Sequence, residues 1–327
     1  MIKTVSVAPM IDCTDKHEIY FLSLISKNVH LFSEMIVANA IIRGDRKKLL
    51  SFKKISNPVT LQIGGSNPSE LAEACNIAED YGYKEINFNL GCPSKKVQKN
   101  KFGACLMQEP DLVAKCIEAM VKSTKLPVTI KTRIGYNEVE NFEFLKSFIQ
   151  TIKDAGSKKF IIHARKALLK KLSPKENLNI PPLKYDFVYK LKDHFKNDEI
   201  IINGGVKTTE DIKNHLLKVD GVMIGRAIYH SPYFLAEIEK EIFNNQNVPT
   251  RTEIMENLIP YIQEETSKGT QLNHIMRHTV GLFHGQYGSR TWKQYLSKNM
   301  CVRDADLQKV NHIMDQVKRT NPVFIER

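Results

Sequence analysis

Eight short runs rich in β-branched and aliphatic residues recur along the chain, and this repetition constrains the fold more than any other feature. They fall at 5–8, 31–35, 59–63, 85–89, 128–132, 160–163, 199–203 and 221–224. Amphipathic segments separate most of them, at 68–81, 110–124, 141–155 and 209–217 among others. Two of these segments open with helix-start chemistry, Asn67-Pro68 and Thr208-Thr209-Glu210-Asp211. Such residues supply a capping oxygen or a preset φ to the first turn. Strands that are apolar on both faces and alternate with helices belong to a parallel sheet covered on both sides. Eight repeats point to an α/β fold, a closed (β/α)8 TIM barrel. A doubly wound open sheet is the alternative; it lacks support because no Gly-x-Gly-x-x-Gly follows the first strand.

Polar residues gather at the C-terminal ends of these runs, the rim where a barrel of this kind builds its site. They are Gln62 after the third run, Asn89 and Cys92 after the fourth, Lys131 and Arg133 at the fifth, and His163 and Arg165 at the sixth. Asn203-Gly204-Gly205 and Gly225-Arg226 close the seventh and eighth, and Pro9-Met10 the first. Glycine backbone and an arginine after the last two strands suit a phosphate, although either glycine group alone also serves a tight turn. Lys131 follows the buried-looking run Val128-Thr129-Ile130 and is placed to set a cation beside an electron-accepting ring.

The stretch 85–107 carries the reactive group. The run Glu85-Ile86-Asn87-Phe88-Asn89 breaks at Gly91 and presents Cys92 followed by Pro93. A thiol on a stiff turn at a strand end can deliver a proton to one defined point. Cysteine is also a common small buried hydrophobe, and spacing alone leaves both readings open for Cys92.

The chain has 327 residues, 42% of them hydrophobic, enough for one large α/β domain with an appendage. No apolar run reaches the roughly 20 residues that span a bilayer, and MIKTVSVAPM leads straight into a strand-like segment without signal-peptide architecture. The six cysteines, at 13, 75, 92, 105, 116 and 301, form no Cys-x-x-Cys pair or zinc-spaced cluster. Reduced thiols, no metal and a cytoplasmic location are the expectation, with Cys75 and Cys116 as core residues. The formal net charge of +12 favours a polyanionic partner; a Lys- and Asn-rich composition would also inflate it. Beyond the polar linker 244–248, helices are expected at 251–268, 272–283, 289–299 and 304–320, as a small bundle. Arg290 and Lys293 lie three apart, on one helix face. The division expected is 1–243 for the barrel and 249–327 for the basic helical domain.

Together these residues resemble a tRNA-dihydrouridine synthase over nearly the whole chain. The matching motifs are VAPMIDCTD (7–15), TLQIGGS (60–66), EINFNLGCPS (85–94), FGACLM (102–107), KTRIG (131–135), INGGV (202–206) and GVMIGRA (221–227). The segment IIHARKALLKKLSPKENLNIPPL (161–183) and the tail HIMRHTVGLFHGQYGSRTWKQYL (274–296) resemble the subfamily acting on D-loop uridines 20 and 20a. The resemblance implies FMN as cofactor, NADPH (or NADH) as electron donor and tRNA as substrate, in a monomer away from membranes. It implies that Pro9, Met10, Ile11, Gln62 and Lys131 contact the flavin ring region. His163, Asn203, Gly204, Gly205, Gly225 and Arg226 would hold the ribityl and phosphate end. Cys92 would be the proton donor, Asn89 would bond the uracil edge, and Lys175, Arg290 and Lys293 would orient tRNA. A thiol of ordinary pKa about 8.5 suits that role, being mostly protonated at neutral pH yet able to give the proton up.

The chain departs from the family pattern at Leu168 for Trp, Lys171 for Gly, Leu178 for Arg, Lys293 for Arg and Asn100 for Gly. Asn at 100 is tolerable because it can adopt the left-handed conformation. Two rivals are a dihydroorotate dehydrogenase, which needs no basic helical domain, and a tRNA-binding chaperone, which needs no complete flavin constellation.

Overall fold

A computed structural model of the chain describes residues 3–169 and 172–299. Lys171, Cys301, Arg303 and the helix expected at 304–320 lie outside the described residues.

In chain order the first half runs β1 (Thr4–Val7), α1 (Lys16–Ile25), β2 (Leu31–Val37), α2 (Ala38–Arg43), α3 (Arg46–Leu50), β3 (Val59–Gly64), α4 (Pro68–Ala78), β4 (Glu85–Leu90), α5 (Lys95–Lys99), α6 (Pro110–Ser123) and β5 (Val128–Arg133). There follow α7 (Phe142–Asp154), β6 (Lys159–His163), α8 (Tyr185–His194), β7 (Glu199–Asn203), α9 (Thr209–Leu216) and β8 (Gly221–Ile224). The remainder is helical: α10 (Arg226–His230), α11 (Phe234–Glu241), α12 (Arg251–Ser267), α13 (Leu272–Met276) and α14 (Ser289–Asn299).

All eight expected strands are present, each within about two residues of its expected bounds. They pair in parallel in the order β1-β8-β7-β6-β5-β4-β3-β2. The ring closes beside β2, where Ser6 bridges His30. There the N–H of His30 donates to Val5 O at 3.0 Å and that of Val7 to His30 O at 2.9 Å. This is the (β/α)8 barrel. Every residue of β3 and β4 is buried, as strands covered on both faces require. The helix starts form as their sequences predict. Asn67 Oδ1 accepts the N–H of Ser69 and Glu70 at α4, and Thr208 with Asp211 builds a reciprocal capping box at α9.

The described residues group into two compact units. The first holds residues up to 12, 29–51 and 58–225; the second gathers 13–28, 52–57 and the chain from 226 onward. Within the second unit α1 packs among the later helices, so a segment near the N-terminus completes the helical body. Tyr20 stacks on Tyr261 at 4.1 Å between ring centroids, and His17 Nδ1 lies 2.8 Å from Tyr261 Oη. The segment expected as one helix over 272–283 is instead α13 followed by a 3-10 turn, Arg277–Gly281. There the carbonyl of Thr279 accepts from Leu282 N three residues on, at 3.0 Å, and from Trp292 Nε1 at 2.9 Å. The i+3 pattern and the indole together use an acceptor that an α-helix would give to the fourth residue on. Trp292 is fully buried against the edge of Phe283, and this anchors α14.

Candidate active site

The rim of the barrel brings together most of the residues singled out from the strand ends. Strand register places Asn89 beside Lys131, Arg133 beside His163, and His163 beside Asn203. Lys131 Nζ donates to Asn203 Oδ1 at 2.9 Å, and Asn203 Nδ2 donates to Met223 O at 2.8 Å. Burial lowers the pKa of Lys131 to about 7; the nearby Arg133 adds to that, and Cys92 opposes it. Among the described residues no carboxylate forms an ion pair with Lys131. A cation held at the rim without an anion is the electrostatic complement of an electron-accepting ring that gains negative charge.

Cys92 sits on a turn fixed from three sides. Asn89 Oδ1 accepts the N–H groups of Gly91 at 3.1 Å and Cys92 at 3.0 Å. The carbonyl of Cys92 accepts from Ala104 N at 2.9 Å. Ser94 then caps α5 by accepting from Val97 N. Gly103 explains the FGACLM match: its φ is +74°, and a Cβ there would lie 2.7 Å from Cys92 O and 2.6 Å from Val97 Cγ1. Only glycine allows that approach. The cysteines separate by environment. Burial pushes Cys75 and Cys116 up to about 12, whereas Cys92 is half-buried at the rim.

Arg133 does work that its sequence position did not reveal. It is 2% exposed, and its guanidinium donates to three carbonyls: Gly91 at 2.9 Å, Lys166 at 3.0 Å and Asn177 at 3.1 Å. It therefore ties the Cys92 turn to the 164–180 loop. Asn177 holds that loop from within, accepting from Leu168 N at 2.7 Å and donating to Leu168 O at 3.0 Å. The loop's exposed face carries Lys175, while Leu168 and Leu178 are half-buried.

After β7, Gly204 and Gly205 have φ of +116° and +79°. A Cβ on Gly204 would stand 2.7 Å from His163 Cδ2, and one on Gly205 2.5 Å from Tyr185 Oη. Tyr185 Oη donates to Gly204 O at 2.8 Å, a contact no strand-end pattern signalled. This close-packed glycine backbone suits a phosphate-bearing group, as does Gly225, whose added Cβ would lie 3.4 Å from both Ala8 and Met10. Pro9 and Met10 are half-buried and Ile11 is 46% exposed in the turn after β1. Arg226 is exposed and opens α10. Arg290 and Lys293 lie on the exposed side of α14, opposite Trp292.

The positive φ expected for Asn100 belongs to its neighbour. Asn100 has φ of −93° and bonds Lys96 O through Nδ2 at 2.8 Å, while Lys101 adopts φ of +56°.

A family model described as dihydrouridine synthase matches residues 6–318. The chain belongs to the dihydrouridine synthase family. Relatives named tRNA-dihydrouridine(20/20a) synthase include one from Synechocystis, 48% identical over 93% of this chain and 91% of the relative. Those from Vibrio cholerae and Escherichia coli K12 are each 47% identical over 95% of this chain, covering 96% and 91% of the relative. As a dihydrouridine synthase the chain is an oxidoreductase, and its rim carries both a lysine bonded to Asn203 and a half-buried thiol.

Proposed function

We propose that this protein reduces uridines 20 and 20a of the tRNA D-loop to 5,6-dihydrouridine, using FMN and NADPH. The observation that carries the reading is the rim itself, where Asn89 holds the Cys92 turn and Lys131 stands beside Asn89 in register, bonded to Asn203. The names of the relatives supply the nucleotide positions.

Lys131 and Gln62, with Pro9, Met10 and Ile11, would lie against the flavin ring, and His163, Asn203, Gly204, Gly205, Gly225 and Arg226 would hold its ribityl and phosphate end. When bound and reduced, the flavin supplies the hydride that adds to C6 of the uracil. Cys92 completes the addition by giving its Sγ proton to C5, so that the pyrimidine double bond becomes a single bond. The thiol then takes a proton back from solvent at the rim. Asn89 donates an N–H to a uracil carbonyl and fixes the ring over the site. A stacked base cannot reach the rim, so the target uridine is extruded from the tRNA. The barrel unit, residues up to 12, 29–51 and 58–225, is the flavin domain, rather than the continuous stretch 1–243 expected from the sequence. The helices of the second unit meet tRNA, with Arg290 and Lys293 of α14, together with Lys175 of the barrel's 164–180 loop, on the tRNA phosphates. The protein acts as a cytoplasmic monomer, and among its described residues no helix is long and apolar enough to cross a membrane.

The test is to load the purified protein with FMN, supply NADPH and unmodified tRNA, and map dihydrouridine. Wild type forms it at positions 20 and 20a. Cys92→Ala retains flavin and its reduction by NADPH but loses product formation by about a hundredfold or more. Turnover preserved in Cys92→Ala removes the thiol from the acid role. Turnover of free dihydroorotate, with none of tRNA, points to the rival dehydrogenase.

A further inference from the structure

Below the Cys92 turn, an unbroken file of polar side chains descends through the barrel interior. Asn89 Nδ2 donates to Gln62 Oε1 at 2.8 Å, and Gln62 Nε2 donates to Asn87 Oδ1 at 2.8 Å. Asn87 Nδ2 donates to Thr129 Oγ1 at 2.9 Å, and the Thr129 hydroxyl donates to Glu85 Oε1 at 2.9 Å. Glu85 Oε1 also accepts from Thr60 at 3.3 Å, and Lys159 Nζ lies on Glu85 Oε2 at 2.9 Å. His30 Nε2 stands 2.6 Å from the Thr60 hydroxyl. Burial and the charge of Lys159 hold His30 at a pKa of about 3, so its ring is neutral. From Asn87 at 0% exposed to Asn89 at 8%, each link of the file is buried.

The polarity of this file is locked at both ends. At the top, two backbone N–H groups can only donate, so the oxygen of Asn89 must face them. At the bottom, a carboxylate paired with a lysine accepts. No amide between them can turn over without setting donor against donor or acceptor against acceptor, a costly arrangement where water is excluded. Both lone pairs of Asn89 Oδ1 are committed to Gly91 and Cys92, and one Nδ2 hydrogen to Gln62. What Asn89 retains for a base is a single donor, which matches a carbonyl oxygen and opposes an exocyclic amine.

We propose that Glu85 is a positioning residue for this site: as the acceptor terminus of the file, it holds Asn89 as a donor toward the pyrimidine and sets the Cys92 turn from the far end of β4. This rests on the function proposed above and adds to it a residue remote from the rim.

The test uses the FMN-loaded protein with Glu85→Gln, Thr129→Val and Thr129→Ser. Glutamine replaces one of the two acceptor oxygens with a donor, so that it cannot accept from both the threonines and Lys159 as Glu85 does, valine removes the middle hydroxyl at equal volume, and serine restores it. Three quantities are read: hydrogen exchange of the Gly91 and Cys92 amides, the single-turnover rate of uridine reduction by pre-reduced enzyme, and the rates or affinities for NADPH and tRNA. Glu85→Gln and Thr129→Val are expected to speed exchange at 91–92 by about tenfold and slow uridine reduction by about ten- to a hundredfold. Flavin reduction by NADPH and the tRNA Kd stay within about twofold, and Thr129→Ser recovers both readouts. The double variant is no slower than the slower single one, because both cut the same file.

Wild-type exchange and turnover in Thr129→Val would overturn the proposal. So would strictly additive losses, or NADPH and tRNA steps that fall in parallel with chemistry. If Glu85→Gln does not fold, the two threonine variants decide the matter. If wild type reduces no uridine at all, the proposed function fails, and the exchange readout still judges the file.

Discussion

Lys131 illustrates how surroundings retune a residue whose type alone is unremarkable. Its ordinary value of 10.5 falls to about 7 because the folded barrel removes water from the ammonium. Between those values the unfolded chain binds a proton that the folded chain does not, so stability rises with pH across that window. Thermal denaturation of the flavin-free protein checks this. The midpoint of wild type relative to Lys131→Met should rise by a few degrees between pH 7 and 10, and a constant difference would mean the amine keeps its ordinary value. Of six cysteines, the sequence set Cys75 and Cys116 aside as core residues and marked Cys92 by its turn at Gly91-Cys92-Pro93. Exposure removes Cys75 and Cys116, which are sealed in the core, and leaves Cys13, Cys92 and Cys105 half-buried; of these, Cys92 stands where β4 meets the rim, its N–H on Asn89. Arg133 was legible as a strand-end cation, but its three carbonyl partners come from distant segments and leave no local pattern.

Element boundaries were the most legible part of the chain, because caps and apolar runs are local properties. Asn67-Pro68 and the Thr208–Asp211 box begin helices where side-chain oxygens can reach the first free N–H groups. The pairing of α1 with the 3-10 turn at 277–281 was not legible. Asp15 caps α1 and accepts from Arg277 Nη2 at 2.6 Å, while His278 lies 3.0 Å from both Asp15 and Glu18. Burial disfavours the charged ring, but hydrogen bonds to Asp15 and Glu18 outweigh it and raise His278 from 6.5 to about 9. Burial raises Glu18, and the histidine keeps Asp15 well below the usual carboxylate range despite its burial. A raised histidine contributes stability in full below pH 6.5 and loses it as pH climbs to 9. His278→Gln should therefore be destabilised most at pH 6 and approach wild type near pH 9, as measured by urea unfolding at each pH. An equal deficit at all pH values would show that packing, not charge, ties the turn to α1.

For the molecule as a whole, the charge of +12 finds a place without being evenly spent. Several lysines pair with carboxylates inside their own units, as Lys159 does with Glu85 and Lys16 with Glu265. Arg290 and Lys293 instead stand exposed on α14, behind which Trp292 is fully buried. That arrangement keeps two cations on a helix whose other face is fixed, which suits contact with phosphates. Arg290→Ala should raise the KM for tRNA several-fold. It should also lower the slope of log affinity against log salt by roughly the share of one phosphate contact. An unchanged salt slope would place tRNA on another surface. Lysine at 293 keeps the charge and lacks the planar fork, so Lys293→Arg is a natural companion measurement.

By itself, the sequence determined the eight-strand repeat, the helix starts, the polar rim and the thiol on its turn, since each depends on residues close together in the chain. Tertiary structure alone decided the rest. It joined Asn89 to Glu85 through side chains from three strands, clamped the Cys92 turn to the 164–180 loop through Arg133, and built α1 into the helical unit. Hydrogen-bond direction and desolvation belong to groups that meet only after the chain has closed on itself, and no run of neighbouring letters encodes them.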